Sequence, residues 1–135
     1  MLALVLGAGA LPARAQQPGS FIDTYVPAGS GGLGKPVGLV FGPDDHLYVS
    51  SINTAAVLRY DGTTGAFLNA FVSTQSGGLN APTGLVFPDG HLYVSSDFSD
   101  AVLRYDGTTG AFIDAFVSAQ SGGLDNSTGL VFGPD

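Results

Sequence analysis

The 135-residue chain contains no cysteine, no tryptophan and no glutamate. Without cysteine there is no disulfide framework, no thiolate zinc site and no cysteine nucleophile. Positive charge is also scarce, because one lysine and three arginines stand against eleven aspartates, for a formal net charge of −7. Nucleic acid and anionic membranes both require basic patches. The charge balance therefore argues against either of them as a partner and against membrane insertion.

Glycine, proline and apolar residues are abundant in place of the missing types. The chain has 21 glycines and 8 prolines, 44% of its residues are hydrophobic, and only 11% are charged. A disordered, solvated chain has the opposite balance. Outside the first residues, no segment of eight or more residues has apolar side chains at helical spacing. The composition therefore predicts one all-β domain of short strands and tight turns.

The N-terminus resembles an export signal. Residues 1–10 form an apolar run too short to span a bilayer, and Ala13 and Ala15 then give the small-x-small pattern of a cleavage site. We predict a signal peptide at 1–15 and a polar leader at 16–20, which places the mature chain in a secreted, periplasmic or cell-surface location. No basic residue precedes the apolar run, so a buried N-terminal strand or helix is the alternative.

The rest of the chain is repetitive. Residues 56–67 return unchanged as residues 101–112. Three further blocks recur around them: an aromatic-rich segment at 21–26, 67–72 and 112–117, Ser-Gly-Gly-Leu at 30–33, 76–79 and 121–124, and Gly-Leu-Val-Phe at 38–41, 84–87 and 129–132. The Gly-Leu-Val-Phe blocks are spaced by 46 and then 45 residues. A fixed period of this length is typical of a repeat architecture.

One period contains four predicted strands, a to d. Strand a covers 38–41, b covers 46–51, c covers 56–60 and d covers 66–72, with Pro-Asp, Asp-Gly or Gly-Gly turns between them. Four antiparallel strands every 45 residues are typical of a β-propeller blade, although the Trp-Asp signature of one such repeat is missing. The predicted organisation of 21–135 is a lone d strand at 21–26, blades at 38–72 and 84–117, and the start of a third blade at 129–135.

Two blades are too few to close a propeller ring, which has about 4–8 of them. We therefore expect an incomplete ring of about two full blades with flanking strands, and an N-terminal fragment of a longer secreted protein. A blade buries its two apolar faces against its neighbours. The end faces of such a fragment are predicted to be exposed and to cause self-association.

The blade pattern resembles a known repeat. Gly38 to Phe41, a Pro-Asp turn, Leu47-Tyr48-Val49 and a Val-centred strand that ends in Asp61 are similar to the NHL repeat. They are also similar to the blades of streptogramin-lyase-like and gluconolactonase-like proteins. The resemblance implies a ring of about six blades that binds ligands on the face carrying the b–c and d–a loops. It leaves Ca²⁺ open as a cofactor of a longer protein, and otherwise implies none.

The loops on that face differ most between the repeats and supply the candidate ligand-binding residues. The b–c loops are 51–55 and 96–100, and the d–a loops follow strand d. Divergent loops on a shared scaffold are a usual place for function, with an ordinary solvated loop as the alternative. The candidates are Asn53, Asp97, Asp100, Asn80 and Asp125. We assign no catalytic residue and no metal ligand, and the gluconolactonase-like metal set includes a Glu that this chain lacks.

The recurring charged residues are predicted to be structural. His46 and His91 begin strand b at equivalent positions, and Arg59 and Arg104 recur in strand c. Turn histidines and locally paired arginines recur in this way. We therefore favour a non-enzymatic, secreted binding scaffold for an unknown protein or small polar ligand. The alternatives are an exported lyase or lactonase whose catalytic residues lie outside these repeats, and a cell-surface structural protein.

Overall fold

Residues 17–134 are described by a computed structural model, and they form an all-β structure. Eight strands occur in two consecutive groups of four. The strands are β1 (Pro36–Phe41), β2 (Leu47–Ser51), β3 (Ala56–Tyr60), β4 (Phe67–Val72), β5 (Pro82–Val86), β6 (His91–Ser96), β7 (Ala101–Asp106) and β8 (Phe112–Val117). Short 3₁₀ turns lie at Ser30–Gly32, Ser76–Gly78, Asp97–Ser99 and Ser121–Gly123. None of the helices in this part of the chain is long and apolar enough to cross a bilayer.

Each group of four strands makes one antiparallel sheet. The strand orders are β1-β2-β3-β4 and β5-β6-β7-β8, with every neighbouring pair antiparallel. These are the size and the order of propeller blades, and we call them blade 1 and blade 2. The predicted all-β class and the four strands of each period are confirmed. The structure moves only the strand ends, so that strand a begins at Pro36 and strand d at Phe67.

The two flanking segments differ from their prediction. Residues 21–26 were expected to form a lone d strand and 129–135 the a strand of a third blade, but none of 21–26 or 129–134 lies in a strand. A β-strand needs a hydrogen-bonded neighbour, and no described strand lies beside either segment to pair with it. Both segments instead lie on the faces of the existing blades. The predicted signal peptide at 1–15 and residue Asp135 are outside the described residues.

The turn between strands c and d is held by an aspartate side chain. Asp61 Oδ1 accepts hydrogen bonds from the N–H groups of Thr63 and Thr64, at 2.9 and 2.8 Å, and these bonds lower the pKa of Asp61. An Asp-Gly hairpin turn was predicted, in which the glycine takes positive φ. The structure places positive φ at Gly65 (73°) instead. Gly62 is needed for a different reason, because a Cβ there would overlap the carbonyl oxygen of Asp45.

The recurring histidines and arginines contact turn residues or strand d of their own blade. Tyr48 Oη donates to Asp44 Oδ2 at 2.9 Å, and Arg59 Nη1 donates to the same oxygen at 3.1 Å. His46 Nδ1 accepts from the N–H of Gly62 at 3.2 Å, which ties the a–b turn to the c–d turn. In blade 2, Arg104 forms a two-point ion pair with Asp114. These contacts agree with the predicted structural roles of His46, Arg59 and Arg104, whereas His91 Nδ1 lies 3.4 Å from Asp89 Oδ1 and lacks a hydrogen-bond partner.

A single hydrophobic core joins the two blades. Tyr48 and Val57 of blade 1 lie against Leu85, Leu92 and Val94 of blade 2, and all five side chains are buried. The Tyr48 ring makes edge-to-face contacts with Phe71 and Phe87, each at a centroid distance of 4.9 Å, a favoured aromatic geometry. This packing covers one apolar face of each blade.

The innermost strands of the two blades, β1 and β5, approach each other closely at Gly38. A Cβ at this position would overlap the carbonyl oxygen of Thr83 in β5. Ser50 Oγ fills the remaining gap, since it accepts from the N–H of Gly38 at 2.7 Å and donates to Thr83 O at 3.0 Å. The distance between the blades is therefore fixed by a residue without a side chain and by one buried hydroxyl.

We expect Gly38→Ala to lower the free energy of unfolding by about 1–3 kcal/mol, because the methyl group forces the blades apart. Gly129→Ala is the matched control. Residues 129–134 repeat 38–43, yet a Cβ at Gly129 meets nothing within 4 Å. Urea denaturation followed by circular dichroism measures both. Equal stability losses in the two variants would show that the close approach at Gly38 does not limit packing.

Candidate functional site

The b–c and d–a loops meet at one end of the blades, as predicted. In blade 2 the N–H of Asp97 donates to Ala81 O at 3.1 Å, and the N–H of Phe98 donates to Asn80 O at 3.3 Å. In blade 1 the N–H of Asn53 donates to Gly34 O at 3.1 Å. We call this region, residues 34–35, 52–55, 80–81, 97–100 and 125–126, the loop end. It holds all five predicted ligand-binding residues.

A buried serine at the end of each b strand holds the two loops together. Ser96 Oγ accepts from the N–H of Asn80 at 2.9 Å and donates to Asn80 O at 3.0 Å. Ser51 makes the same pair of contacts with the N–H and carbonyl groups of Gly34. One hydroxyl thus satisfies both backbone groups of a residue in the neighbouring loop. The scaffold beneath the loop end is the same in both blades.

The side chains above this scaffold are different in the two blades. Blade 1 presents Ile52 and Asn53, whereas the 3₁₀ turn of blade 2 presents Asp97 and Phe98 at the same places. The Phe98 side chain is 69% exposed. Sequence reasoning identified the divergent loop but did not single out Phe98. The signal for it was an aromatic residue in a turn at the position of an asparagine in the other repeat.

An open groove lies beside the blade 2 loop. Its volume is about 430 Å³, and it is lined by Asp100, Gln120, Gly123, Leu124 and Asp125. Asn126 links its two acidic walls, because its N–H donates to Asp100 Oδ1 at 3.3 Å and its Nδ2 donates to Asp125 Oδ1 at 2.7 Å. The structure thus brings two of the predicted residues, Asp100 and Asp125, to one groove.

The other three candidates lie at the loop end but do not line the groove. Asn53 is exposed in the blade 1 loop, and Asn80 is held by Ser96. Asp97 stands on the first position of the blade 2 turn, where its Oδ1 is buried and lacks a hydrogen-bond partner. A carboxylate oxygen accepts hydrogen bonds only. The blade 2 part of the loop end therefore offers acceptors and one aromatic face to a ligand with donors.

Metal binding finds no support in this geometry. Within residues 17–134, no three His, Asp or other metal-ligating side chains come close enough together to hold an ion. Calcium prefers 6–8 oxygen ligands, more than the carboxylates of Asp100 and Asp125 supply. What the groove can do chemically is accept hydrogen bonds and attract positive charge.

Comparisons with known proteins give only distant similarities to solved structures. No protein-family model matches the chain, and no curated protein matches it. Among solved structures, AztD from Citrobacter koseri is 16% identical with a TM-score of 0.48, and covers 73% of this chain. The computationally designed Ika4 protein is 14% identical with a TM-score of 0.39, and the match covers 84% of this chain and 88% of Ika4.

The chain spans only 29% of the length of AztD. At these TM-scores neither similarity carries an argument about fold or function. The class is defined by the sheets themselves: the chain is an all-β repeat protein with two four-stranded antiparallel blades of propeller type.

We predict that Ser96→Ala loosens the loop end of blade 2 without unfolding the blade. The N–H of Asn80 loses its acceptor, at a cost of about 1–3 kcal/mol for an unsatisfied group. Amide hydrogen exchange at Asn80 should become at least about tenfold faster. Ser51→Ala is the control, because it should accelerate exchange at Gly34 and leave Asn80 unchanged. Unchanged exchange at Asn80 in Ser96→Ala would refute the anchoring role.

Proposed function

We propose that this chain is an exported, non-enzymatic binding scaffold that presents the loop end of blade 2 to a positively charged ligand, such as a basic segment of another protein. One observation carries the proposal. The two blades share the same framework and differ mainly in the b–c loop. There the exposed Phe98 of blade 2, flanked by Asp97 and Asp100, stands at the position of Asn53 in blade 1. A framework that is kept while its exposed loop changes is typical of a recognition surface.

The chemistry of the loop end supports a cationic ligand. Asp97, Asp100 and Asp125 supply carboxylates, and Phe98 supplies an exposed ring. A Lys or Arg side chain gains from both, through charge-assisted hydrogen bonds and through a cation–π contact of about 0.5–1 kcal/mol at an exposed ring. The net charge of −7 adds long-range attraction for such a ligand.

Membership of the NHL-type group of propellers belongs to the same proposal. It is supported by the Leu-Tyr-Val strands and the Asp-terminated strand c, which form β2, β3, β6 and β7 of the blades. The alternative of an exported lyase or lactonase stays a prediction from the sequence. No arrangement of side chains in residues 17–134 favours it over binding.

The ligand class can be tested with a short oligoarginine peptide as the probe. We expect salt-sensitive binding, and we expect Phe98→Ala, Asp100→Asn and Asp125→Asn each to weaken it about two- to fivefold, as exposed contacts of this kind do. Asp45→Asn is the charge-matched control, because Asp45 lies in the a–b turn of blade 1, away from the loop end. Isothermal titration at two salt concentrations gives the affinities.

Two results would contradict the proposed ligand class. One is the absence of oligoarginine binding at low salt. The other is an equal loss of affinity in Asp45→Asn, which would indicate attraction by net charge alone rather than by the loop end.

Export is a separate prediction of the proposal. It is supported by the apolar run at 1–10 and by Ala13 and Ala15. When the whole coding sequence is expressed in a bacterial host, we expect the chain in the periplasm or medium with an N-terminus at Gln16. Mass spectrometry of the recovered protein measures this. A Met1 terminus on a cytoplasmic product would show that the segment is not a signal peptide, whereas Ala15→Arg should block cleavage if it is.

A further inference from the structure

An open apolar face covers one side of blade 1. A cavity of about 380 Å³ opens there. It is lined by Tyr25, Val26, Leu33, Pro36, Leu39, Phe41, Leu47 and Val49. Leu39 is 66% exposed and Phe41 is 54% exposed. We call these residues the open face.

Blade 2 shows what fills such a face. One period later, the same repeat positions are occupied by Phe71 and Val72 of β4 in blade 1, and by Leu79, Pro82, Leu85, Phe87, Leu92 and Val94 in and before blade 2. Blade 1 covers this face of blade 2, because Tyr48 packs against Phe71 of its own blade and against Phe87, which follows β5. Tyr25 and Phe41 are the repeat equivalents of that aromatic pair. The cavity of the open face is therefore a socket for the tyrosine of another blade.

The matching tyrosine face is on the far side of blade 2. Tyr93, the equivalent of Tyr48, contacts Phe116 at a centroid distance of 4.9 Å and Phe132 at 4.7 Å. Phe132 belongs to residues 129–134, which form no strand, and the neighbouring Val131 is 87% exposed. This tail stands where the a strand of a following blade would lie.

The two unpaired segments are sequence copies of paired strands at the opposite end of the chain. Residues 129–134 repeat residues 38–43, which include most of β1. Residues 21–26 differ from β8, residues 112–117, only at Thr24 and Tyr25. The paired strands are held by ladder hydrogen bonds, and the unpaired copies are not. In a contact between two molecules, the paired strands can therefore displace the copies and reproduce the same contacts.

We propose that the open face of one molecule binds the Tyr93 face of blade 2 of a second molecule, head to tail. Tyr93 enters the socket beside Phe41. β8 of the second molecule replaces residues 21–26 of the first, so that Phe116 and Val117 take the places of Tyr25 and Val26. β1 of the first molecule replaces residues 129–134 of the second. The new contact reproduces the packing of the blade 1–blade 2 contact, with Val37 in the place of Thr83. Because the two surfaces are different, this association is heterologous and forms rings or open chains.

The first test compares one substitution in two copies of the same sequence. Leu39→Asp places a charge in the open face, whereas Leu130→Asp places it in the tail that the association displaces. By sedimentation velocity over a concentration series, we expect wild type to form oligomers. Leu39→Asp should weaken them at least about tenfold, since it removes a leucine that the association buries and adds a charge there, and Leu130→Asp should retain them. Circular dichroism confirms that each variant is folded.

A second test separates head-to-tail contact from the pairing of two open faces. An affinity-tagged Leu39→Asp chain keeps its Tyr93 face, so it should retain untagged wild-type protein on a column. It should not retain untagged Leu39→Asp. The inference is overturned if wild type is monomeric at all concentrations, if Leu39→Asp and Leu130→Asp weaken association equally, or if tagged Leu39→Asp retains no wild type.

Discussion

The close approach of β1 and β5 is the constraint on which the two-blade structure depends. Gly38 has no side chain to separate these strands, and Ser50 bridges them by accepting from one backbone and donating to the other. The Ser50 hydroxyl thereby supplies a hydrogen-bond partner to the buried carbonyl of Thr83, and a buried carbonyl without a partner has a substantial free-energy cost. With β1 and β5 held at this distance, the blades contact each other farther from these strands through side chains.

These side-chain contacts are made by aromatic residues, and the same arrangement recurs in both repeats. Tyr48 sits between Phe71 and Phe87, and Tyr93 sits between Phe116 and Phe132. Each tyrosine hydroxyl reaches an aspartate of its own a–b turn, Asp44 or Asp89. The ring thus packs against the next blade while its polar atom stays paired in its own blade, as buried tyrosines require. Each tyrosine therefore packs between a phenylalanine of strand d in its own blade and a phenylalanine of the following repeat.

Much of this fold could be predicted from the sequence, because each repeat can be compared with the other. The period, the four strands and the placement of His46, Arg59 and the divergent loops come from comparing equivalent positions. Strand formation at 21–26 and 129–134 could not be predicted in the same way, since it depends on a partner strand and not on local sequence. The positive φ at Gly65 was missed because a side-chain cap by Asp61, rather than the Asp-Gly pair, determines the turn. The groove between Asp100 and Asp125 joins residues 25 positions apart, and only the tertiary structure brings them together.

The tyrosine and its socket also bear on how such a chain changes in length over evolution. Because one period of about 45 residues contains both halves of the contact, a DNA duplication of one whole period adds a blade whose two surfaces match its new neighbours. A duplication of any other length separates a tyrosine from its aromatic pair. Unequal recombination between the identical segments 56–67 and 101–112 keeps the period intact. The same packing that stabilises the blades therefore makes the number of blades easy to change and the length of each one hard to change.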